Sequence, residues 1–169
     1  LGKIAHDSVV KALGEKLSSI IWDGPQETLT LTQNAQPAIM ATSIAALRVL
    51  ETEVGFSVAK QSAFVAGHSL GEYSALCAAG ALTLTDTARL LRLRGRSMQQ
   101  AVPAGRGAMA ALLGADYDTA TAIAAEAAGD EVCSVANDNA PGQVVISGAE
   151  AAVERAIEIA KAKGIKRAI

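Results

Sequence analysis

The stretch from residue 63 to residue 76 constrains the fold more than any other part of the sequence. A short apolar run, Ala63 to Ala66, has the length of a buried strand and breaks at Gly67 into a segment with helical character. Ser69 lies at this break, between Gly67 and Gly71. Such a strand, turn and helix predict a serine with a strained backbone and an exposed hydroxyl. Glycine is expected at 67 and 71 because a Cβ there would crowd the neighbouring strand or the serine.

This turn predicts a nucleophile and half of an oxyanion hole. Ser69 would attack, and the backbone N–H of Leu70, at the start of the following helix, would stabilise the oxyanion. His68 adjoins the serine but is expected to point to another side, as a support and not as the base. His6 has no motif around it and is predicted to be a solvated surface residue. A glycine-rich turn with a capping serine is the alternative interpretation.

Composition excludes several function classes. The chain has 169 residues and a net charge of −2, which gives no electrostatic footprint for nucleic acid or a membrane surface. Apolar runs such as Pro37 to Leu47 stop well short of the roughly 20 residues of a bilayer-spanning helix. Cys77 and Cys133 have no spacing for a metal or redox pair, so two free thiols in a cytoplasmic protein are expected.

The first part of the chain is predicted to be mainly helical. A single amphipathic helix is expected from about Val9 to Ile21, and another from Pro37, as a first helical residue, to about Glu53. The helix after the serine turn should end at Gly80. A further helix is predicted from Asp86 to about Ala101, capped by Thr83 or Thr85.

Arg94 is the unusual residue of this last helix. A helical wheel places it within an apolar stripe, opposite the polar side of the helix. The stripe contains Leu90, Leu91, Met98 and Ala101, and the polar side contains Arg89, Arg92, Arg96, Gln99 and Gln100. A buried cation must be paired, since an unpaired one costs several kcal/mol. The partner is either a structural carboxylate elsewhere in the fold or the carboxylate or phosphate of a substrate.

The chain changes character after a plausible linker at Pro103. The following elements are predicted in the order β-α-β-β-α-β, which is the ferredoxin-like arrangement. Their ranges are 108–113, 117–128, 132–136, 143–147, 149–163 and 166–169, with a loop at 137–142. The predicted domains are therefore 1–103, which carries the serine turn, and 104–169, whose last strand is truncated. The absence of an initial methionine also predicts a fragment or a trimmed chain.

Five segments resemble the malonyl-CoA:acyl carrier protein transacylases of bacterial fatty-acid synthesis, in the order of that family. These segments are Thr32 to Ala38, Ala66 to Leu76, Arg94 to Gln99, Gly107 to Ala111 and Asn137 to Gly148. They span nearly the whole chain and are highly specific in combination. The family fold is an α/β, hydrolase-like parallel-sheet core with a nucleophile elbow and a smaller ferredoxin-like subdomain.

The resemblance implies roles for particular residues. Ser69 would carry the acyl group, His68 is the family's usual neighbour of the serine, and Arg94 would bind the malonyl carboxylate. Met98 and Met109 would line the acyl pocket. Asn137, Asn139 and Gln143 match a loop near the entrance of the active site.

The resemblance also implies the reaction and its participants. Malonyl-CoA would donate a malonyl group to Ser69, and the phosphopantetheine thiol of acyl carrier protein would accept it. No permanently bound cofactor, metal, nucleic acid or membrane is expected, and the protein should be a cytoplasmic monomer. Arg94 argues against a plain esterase. An acyltransferase domain of a polyketide synthase and a non-catalytic module that binds acyl-CoA or a carrier protein are the alternatives.

Two departures from the family pattern concern catalysis. The family begins with a strand and a Pro-Gly-Gln-Gly-Ser-Gln motif, whose glutamine gives the second oxyanion donor, and nothing similar precedes Leu1. The family's catalytic histidine follows the last strand of the insert, beyond Ile169. The region from Ala5 to Val10 also looks shorter than in relatives. The sequence thus predicts the acyl-serine site and the carboxylate clamp without the general base.

Overall fold

A computed structural model describes residues 2–15, 17–103, 105–165 and 167–169, and only the backbone at 2–6 and 10. The predicted surface position of the His6 side chain lies outside these described residues. The chain divides into two compact units, Leu1–Ala101 and Val102–Ile169. Each unit has its own apolar core.

The secondary-structure elements described in the first unit are all helices, joined by turns and irregular segments. Its helices are α1 Gly2–Leu13, α2 Leu17–Asp23, α3 Gln26–Thr30, α4 Thr32–Glu53, α5 Val58–Gln61, α6 Leu70–Ala78 and α7 Leu84–Ala101. The core forms where α4 and α7 bury Met40, Ala41, Ala88 and Leu91. Val9 and Leu17 from the first two helices complete it.

The single helix predicted from Val9 to Ile21 is wrong, because the structure has two helices there. Gly14 has a φ of 65°, in the left-handed region that ends helices, and separates α1 from α2. Glu15 follows this break and forms ion pairs with two arginines of α7. The break at Gly14 therefore allows the Glu15 carboxylate to reach α7.

Helix α4 begins at Thr32, so Pro37 lies inside it and is not its first residue. Proline has no N–H and cannot donate to the carbonyl four residues earlier, which here belongs to Gln33. Arg92 of α7 supplies that hydrogen bond, since its Nη1 donates to the Gln33 carbonyl at 2.7 Å. A cation from the neighbouring helix thus compensates for the proline.

The run from Ala63 to Ala66 is not a strand in the structure, contrary to the prediction. Its residues are exposed, and Phe64 in particular is 92% accessible to solvent. A strand requires a hydrogen-bonding neighbour, and the first unit has no other strand among the residues described. The predicted buried parallel sheet is therefore not seen in this part of the chain.

Helix α7 begins close to the predicted position, and Thr83 is its cap. Thr83 Oγ1 accepts a hydrogen bond from the N–H of Asp86 at 3.0 Å. The buried face differs from the predicted stripe, because Arg92 is only 6% exposed whereas Leu90 is 40% exposed. The helix is rotated toward Arg92, which leaves Arg94 half-buried at the edge of the packed face.

The second unit contains a four-stranded antiparallel sheet and two helices. Its elements are β1 Gly107–Leu113, α8 Tyr117–Ala128, β2 Cys133–Ala140, β3 Gln143–Ala149, α9 Glu150–Ala162 and β4 Arg167–Ala168. The strand order is β2-β3-β1-β4, and each neighbouring pair is antiparallel. The order of helices and strands is the one that the sequence predicts. Both helices bury alanine-rich faces on the sheet.

Strand β2 continues through the segment that the sequence predicts to be a loop at 137–142. Asn137 pairs with Val145, and the register shifts twice along the strand, as in β-bulges. The connection to β3 is only Pro141 and Gly142, and Gly142 has a φ of 76°. A proline and a glycine are enough to turn the chain, so Asn137 remains in the ladder, while Asn139 lies at the second register shift.

Candidate active site

Ser69 has a backbone conformation that fits a functional turn. It has a φ of 57° and a ψ of −118°, and it is the only non-glycine residue with a positive φ among those described. A backbone conformation of this kind costs about 1–3 kcal/mol of conformational free energy. Ser69 precedes the first residue of α6, yet its side chain makes no capping hydrogen bond. The alternative of a simple capping serine is therefore wrong, and the hydroxyl is exposed at the turn.

Gly67 lets this turn close tightly. A Cβ at Gly67 would overlap with the carbonyl group of Gly71 and with the backbone nitrogen of Glu72. Gly71 differs from the prediction, because a Cβ built there meets no atom within 4 Å. The crowding that the sequence suggests for both glycines therefore applies to Gly67 alone.

Arg94 lies directly against the Ser69 hydroxyl. Its Nη2 donates to Ser69 Oγ at 3.0 Å, and its Nη1 donates to Gln36 Oε1 at 2.5 Å. The guanidinium carbon is also 5.9 Å from the centre of the Tyr73 ring, within the range of a cation–π contact. None of the ion pairs found among the described residues contains Arg94. Its partners in this part of the chain are neutral, which argues against a structural ion pair.

Gln36 is a site residue that the sequence reasoning missed. It is 3% exposed, and its Nε2 donates to Thr32 Oγ1 at 2.7 Å and to Met98 Sδ at 3.3 Å. The sequence did contain a signal for Gln36, because this residue lies in Thr32 to Ala38, one of the five segments that resemble the family. Its role emerges only when α4 and α7 are seen side by side.

The close approach of α7 to the start of α4 assembles this group. A Cβ at Gly95 would lie 2.5 Å from Gln33 Cα and 2.8 Å from the Thr32 carbonyl oxygen, so only glycine fits. Arg92, one helical turn from Gly95, bonds Asn34 Oδ1 at 2.5 Å and Glu15 at 2.6 Å. Burial lowers the pKa of Arg92; Glu15 opposes this shift and Arg96 adds to it. These contacts fix the helices that carry Arg94 and Gln36.

Leu70 and His68, the two neighbours of Ser69, lie at the start of α6 and in the exposed turn before it. Leu70 is the first residue of α6, so its N–H belongs to the first turn, where a helix provides no acceptor. His68 is exposed, and its carbonyl accepts a hydrogen bond from Gly71 N–H at 2.9 Å. The roles of Leu70 as oxyanion donor and of His68 as support remain predictions.

The remaining predicted residues belong to the second unit. Met109 is 59% exposed on β1, where it pairs with Ser147. Asn137 is half-buried in β2, and Asn139 and Gln143 are exposed next to the β2–β3 turn. Their proposed contribution to the acyl pocket and entrance stays a prediction. Met98, by contrast, contacts Gln36 within the first unit.

The described residues form a cavity near the serine turn, but no group of side chains suited to a metal ion and no membrane-spanning helix. A cavity of about 430 Å³ lies among α4, residues 65–67 and α6, but neither Ser69 nor Arg94 lines it. Within ranges 2–15, 17–103, 105–165 and 167–169, no three His, Cys, Asp or Glu side chains are placed to hold a metal ion. The helices in these ranges are all too short or too polar to span a bilayer. The cavity adjoins the serine turn at Gly67, Leu70 and Gly71.

Comparison with known proteins gives consistent matches along the chain. The sequence model of the acyl transferase domain matches residues 4–169. The malonyl CoA-acyl carrier protein transacylase of Bacillus subtilis is 49% identical over 168 residues, covering 99% of this chain and 51% of that protein. The Escherichia coli K12 protein of the same name is 48% identical over 158 residues, covering 94% and 50%. The chain thus spans about half the length of these curated relatives.

Solved structures show the same likeness in three dimensions. The acyl-carrier-protein-S-malonyltransferase of Bartonella henselae matches with a TM-score of 0.92 and 56% identity, over 99% of this chain and 53% of that one. A malonyl-transacylase in complex with its type II polyketide-synthase acyl-carrier protein matches with a TM-score of 0.89 and 42% identity, over 99% and 53%. With its strained serine, its arginine and a domain match over nearly all residues, this chain belongs to the acyl transferase domain family.

Proposed function

We propose that this chain carries the acyl-serine site of an enzyme that transfers malonyl groups from malonyl-CoA to acyl carrier protein for fatty-acid synthesis. The observation that carries the proposal is the contact of Arg94 with Ser69 Oγ at 3.0 Å, by a cation without a carboxylate partner among the described residues. An acyl group on Ser69 would place its terminal carboxylate next to this guanidinium. The relatives' names support the same substrate and acceptor.

The first half of the proposed reaction acylates the enzyme. Ser69 Oγ attacks the thioester carbon of malonyl-CoA, the C–S bond breaks, and CoA leaves as its thiol once it has taken up a proton. The serine proton passes to a general base, a role that the proposal gives to neither His6 nor His68. The Leu70 N–H stabilises the tetrahedral oxyanion, and the α6 N-terminus adds a favourable dipole.

The second half returns the serine. The phosphopantetheine thiol of acyl carrier protein attacks the seryl ester, the ester C–O bond breaks, and Ser69 regains its proton. Arg94 holds the malonyl carboxylate in both halves, so acyl groups that lack a carboxylate bind less well. Met98, Met109, Asn137, Asn139 and Gln143 are proposed to line the pocket and its entrance. No bound cofactor takes part in this proposal.

The architecture of the whole enzyme is part of the proposal. The second unit is assigned to a ferredoxin-like subdomain, supported by its β-α-β-β-α-β order and its strand order β2-β3-β1-β4. The first is assigned to a hydrolase-like α/β core whose parallel sheet would pair with residues 63–66. The proposed domains are 1–103 and 104–169, in a monomeric, cytoplasmic protein.

A carrier protein of polyketide synthesis is the second candidate acceptor. It is favoured by one solved relative, which is a malonyl-transacylase bound to a type II polyketide-synthase acyl-carrier protein. Both acceptors present the same phosphopantetheine thiol, so the chemistry at Ser69 would be identical. The two candidates differ only in the surface of the carrier protein.

A transfer assay tests the proposed function. The complete protein is incubated with malonyl-CoA and phosphopantetheinylated acyl carrier protein, and the mass of the carrier is followed over time. Malonyl transfer is expected with the unaltered protein and not with Ser69→Ala. Absence of transfer to carrier proteins of both fatty-acid and polyketide synthesis would reject the proposal, as would full activity of Ser69→Ala.

A further inference from the structure

The side chain of Gln36 connects Arg94 to Thr32 and Met98. It is 3% exposed, and both ends of its amide have hydrogen-bond partners. Oε1 accepts from Arg94 Nη1 at 2.5 Å, while Nε2 donates to Thr32 Oγ1 at 2.7 Å and to Met98 Sδ at 3.3 Å. A buried amide with all these contacts holds one orientation.

The chemistry of the partners determines that orientation. A guanidinium has only N–H donors, so it requires the amide oxygen of Gln36. The hydroxyl of Thr32 and the thioether of Met98 can accept, so they suit the amide nitrogen. A flipped amide would set its NH₂ group against the N–H groups of Arg94. The Thr32 and Met98 contacts therefore keep the Gln36 oxygen directed at the arginine.

The neutrality of Gln36 matters as much as its geometry. A glutamate at this position would also accept from Arg94, but its charge would cancel that of the guanidinium. The amide holds Nη1 without neutralising it, while Nη2 reaches Ser69 Oγ at 3.0 Å. The positive charge is thus fixed beside the serine and remains available to an anionic acyl group.

We infer that Gln36 is a positioning residue that sets the preference of this site for acyl groups with a terminal carboxylate. This inference rests on the proposed function, since it assumes that Ser69 carries the acyl group. Gln36 acts through Arg94: it fixes Nη1 and leaves Nη2 at the serine. Thr32 supports it from the first turn of α4, where the close approach at Gly95 brings α7 near.

Two substitutions at Gln36 test this role in the complete protein. Gln36→Glu keeps the size of the side chain but introduces a charge, and Gln36→Leu removes the hydrogen bond to Arg94. The ratio of kcat/KM for malonyl-CoA to that for acetyl-CoA is measured for each. Gln36→Leu should lower the ratio about tenfold, the order expected for one hydrogen bond to a charged group. Gln36→Glu should lower it further, because the acyl carboxylate would then meet a neutralised arginine.

Acetyl transfer is the readout that separates positioning from a purely structural role. It should change less than about threefold in both variants, since an acetyl group has no carboxylate for Arg94 to bind. Gln100→Leu, at an exposed position on α7, is the matched control and should keep the original ratio. Thr32→Val provides a second test, because it removes one of the two acceptors of Gln36 Nε2 and should lower the ratio by a smaller factor.

The outcomes distinguish this inference from the proposed function. If the unaltered protein acquires no malonyl group on Ser69, the proposed function fails. If it does, while a folded Gln36→Glu variant retains the original ratio, the inference is overturned and the proposed function stands. An equal loss of malonyl and acetyl transfer would also overturn it, because that pattern indicates structural damage alone. Should a Gln36 variant fail to fold, an unchanged ratio in Thr32→Val would overturn it.

Discussion

At the scale of single residues, the contact between Arg94 and Ser69 defines the chemistry of the site. Arg94 Nη2 donates to the free hydroxyl oxygen at 3.0 Å. In the proposed acyl-enzyme, that oxygen would become an ester oxygen and a weaker acceptor. A carboxylate on the acyl group then offers the same N–H a stronger, charge-assisted bond. In the proposed mechanism, the same guanidinium would therefore contact the free hydroxyl before acylation and the acyl carboxylate afterwards.

Replacing Arg94 by alanine should lower the transfer of malonyl groups much more than the transfer of acetyl groups. In the complete protein, kcat/KM for malonyl-CoA should fall by about two to three orders of magnitude, as expected for losing one partner of a buried charge pair. Transfer of acetyl groups should be retained or improved, because no carboxylate needs the cation. Steady-state kinetics with both thioesters measure the ratio. An unchanged ratio would remove Arg94 from its role as the carboxylate clamp.

The two glycines around Ser69 provide a matched pair of substitutions. Gly67→Ala should distort the turn and abolish acylation of Ser69, because its Cβ would overlap with the Gly71 carbonyl group. Gly71→Ala should retain most of the activity, since its Cβ meets no atom within 4 Å. Acyl-enzyme formation, measured by mass spectrometry beside the thermal stability of each variant, compares them. Equal losses in both variants would contradict the structural difference between the glycines.

The sequence singled out Ser69 and Arg94, which the structure brings into contact, but it did not single out Gln36, which holds Arg94. Ser69 stands out because its turn is defined by local glycines, and Arg94 because a cation on an apolar stripe is conspicuous. Gln36 is a buried amide whose partners lie 58 and 62 residues away along the chain. Local patterns carry no information on such contacts, so its role requires the packing of α4 on α7.

At the scale of secondary-structure elements, Arg92 connects three segments of the first unit. It donates to the Gln33 carbonyl that Pro37 leaves without a donor, bonds Asn34, and pairs with Glu15 after the α1–α2 break. The proline, the glycine break and the arginine thus depend on one another. This network aligns α7 with the N-terminal part of α4, where Thr32 and Gln36 lie one turn apart.

Removing Arg92 should destabilise the first unit clearly. Arg92→Ala leaves the Gln33 carbonyl and the buried Asn34 side chain without a donor, which should lower the free energy of unfolding by about 1–3 kcal/mol. Arg96→Ala is the control, because Arg96 also pairs with Glu15 but its side chain is 52% exposed. Its effect should stay below about 1 kcal/mol. Chemical denaturation of both variants tests this, and similar losses would show that the Arg92 network contributes little.

The elements that the sequence predicted well are those with local signals. Helix α8 has the predicted bounds, Tyr117–Ala128, and Asp116 caps it by accepting from the Thr119 N–H at 2.8 Å. The start of α4 was misplaced, because Arg92, distant in sequence, compensates for Pro37. The run at 63–66 has the composition of a buried strand, but pairing depends on a neighbour that the described first unit does not contain. The start of α4 and the state of the 63–66 run were therefore missed because both depend on partners distant in sequence.

At the scale of the whole molecule, each unit builds its own core around different elements. The first packs helices α4 and α7 together, and the second packs α8 and α9 on an antiparallel sheet. The first unit also exposes the apolar run that precedes the serine turn, with Phe64 92% accessible. The chain matches its relatives over 94–99% of its own length but about half of theirs.

The central claim is that Ser69 carries a malonyl group held by Arg94, and one measurement tests it most directly. The complete protein is incubated with malonyl-CoA, denatured, digested and mapped by mass spectrometry. A malonyl adduct is predicted on the peptide that contains Ser69, at greater occupancy than the acetyl adduct formed from acetyl-CoA under the same conditions. A malonyl adduct on another residue, or an equal preference for acetyl, would contradict the account.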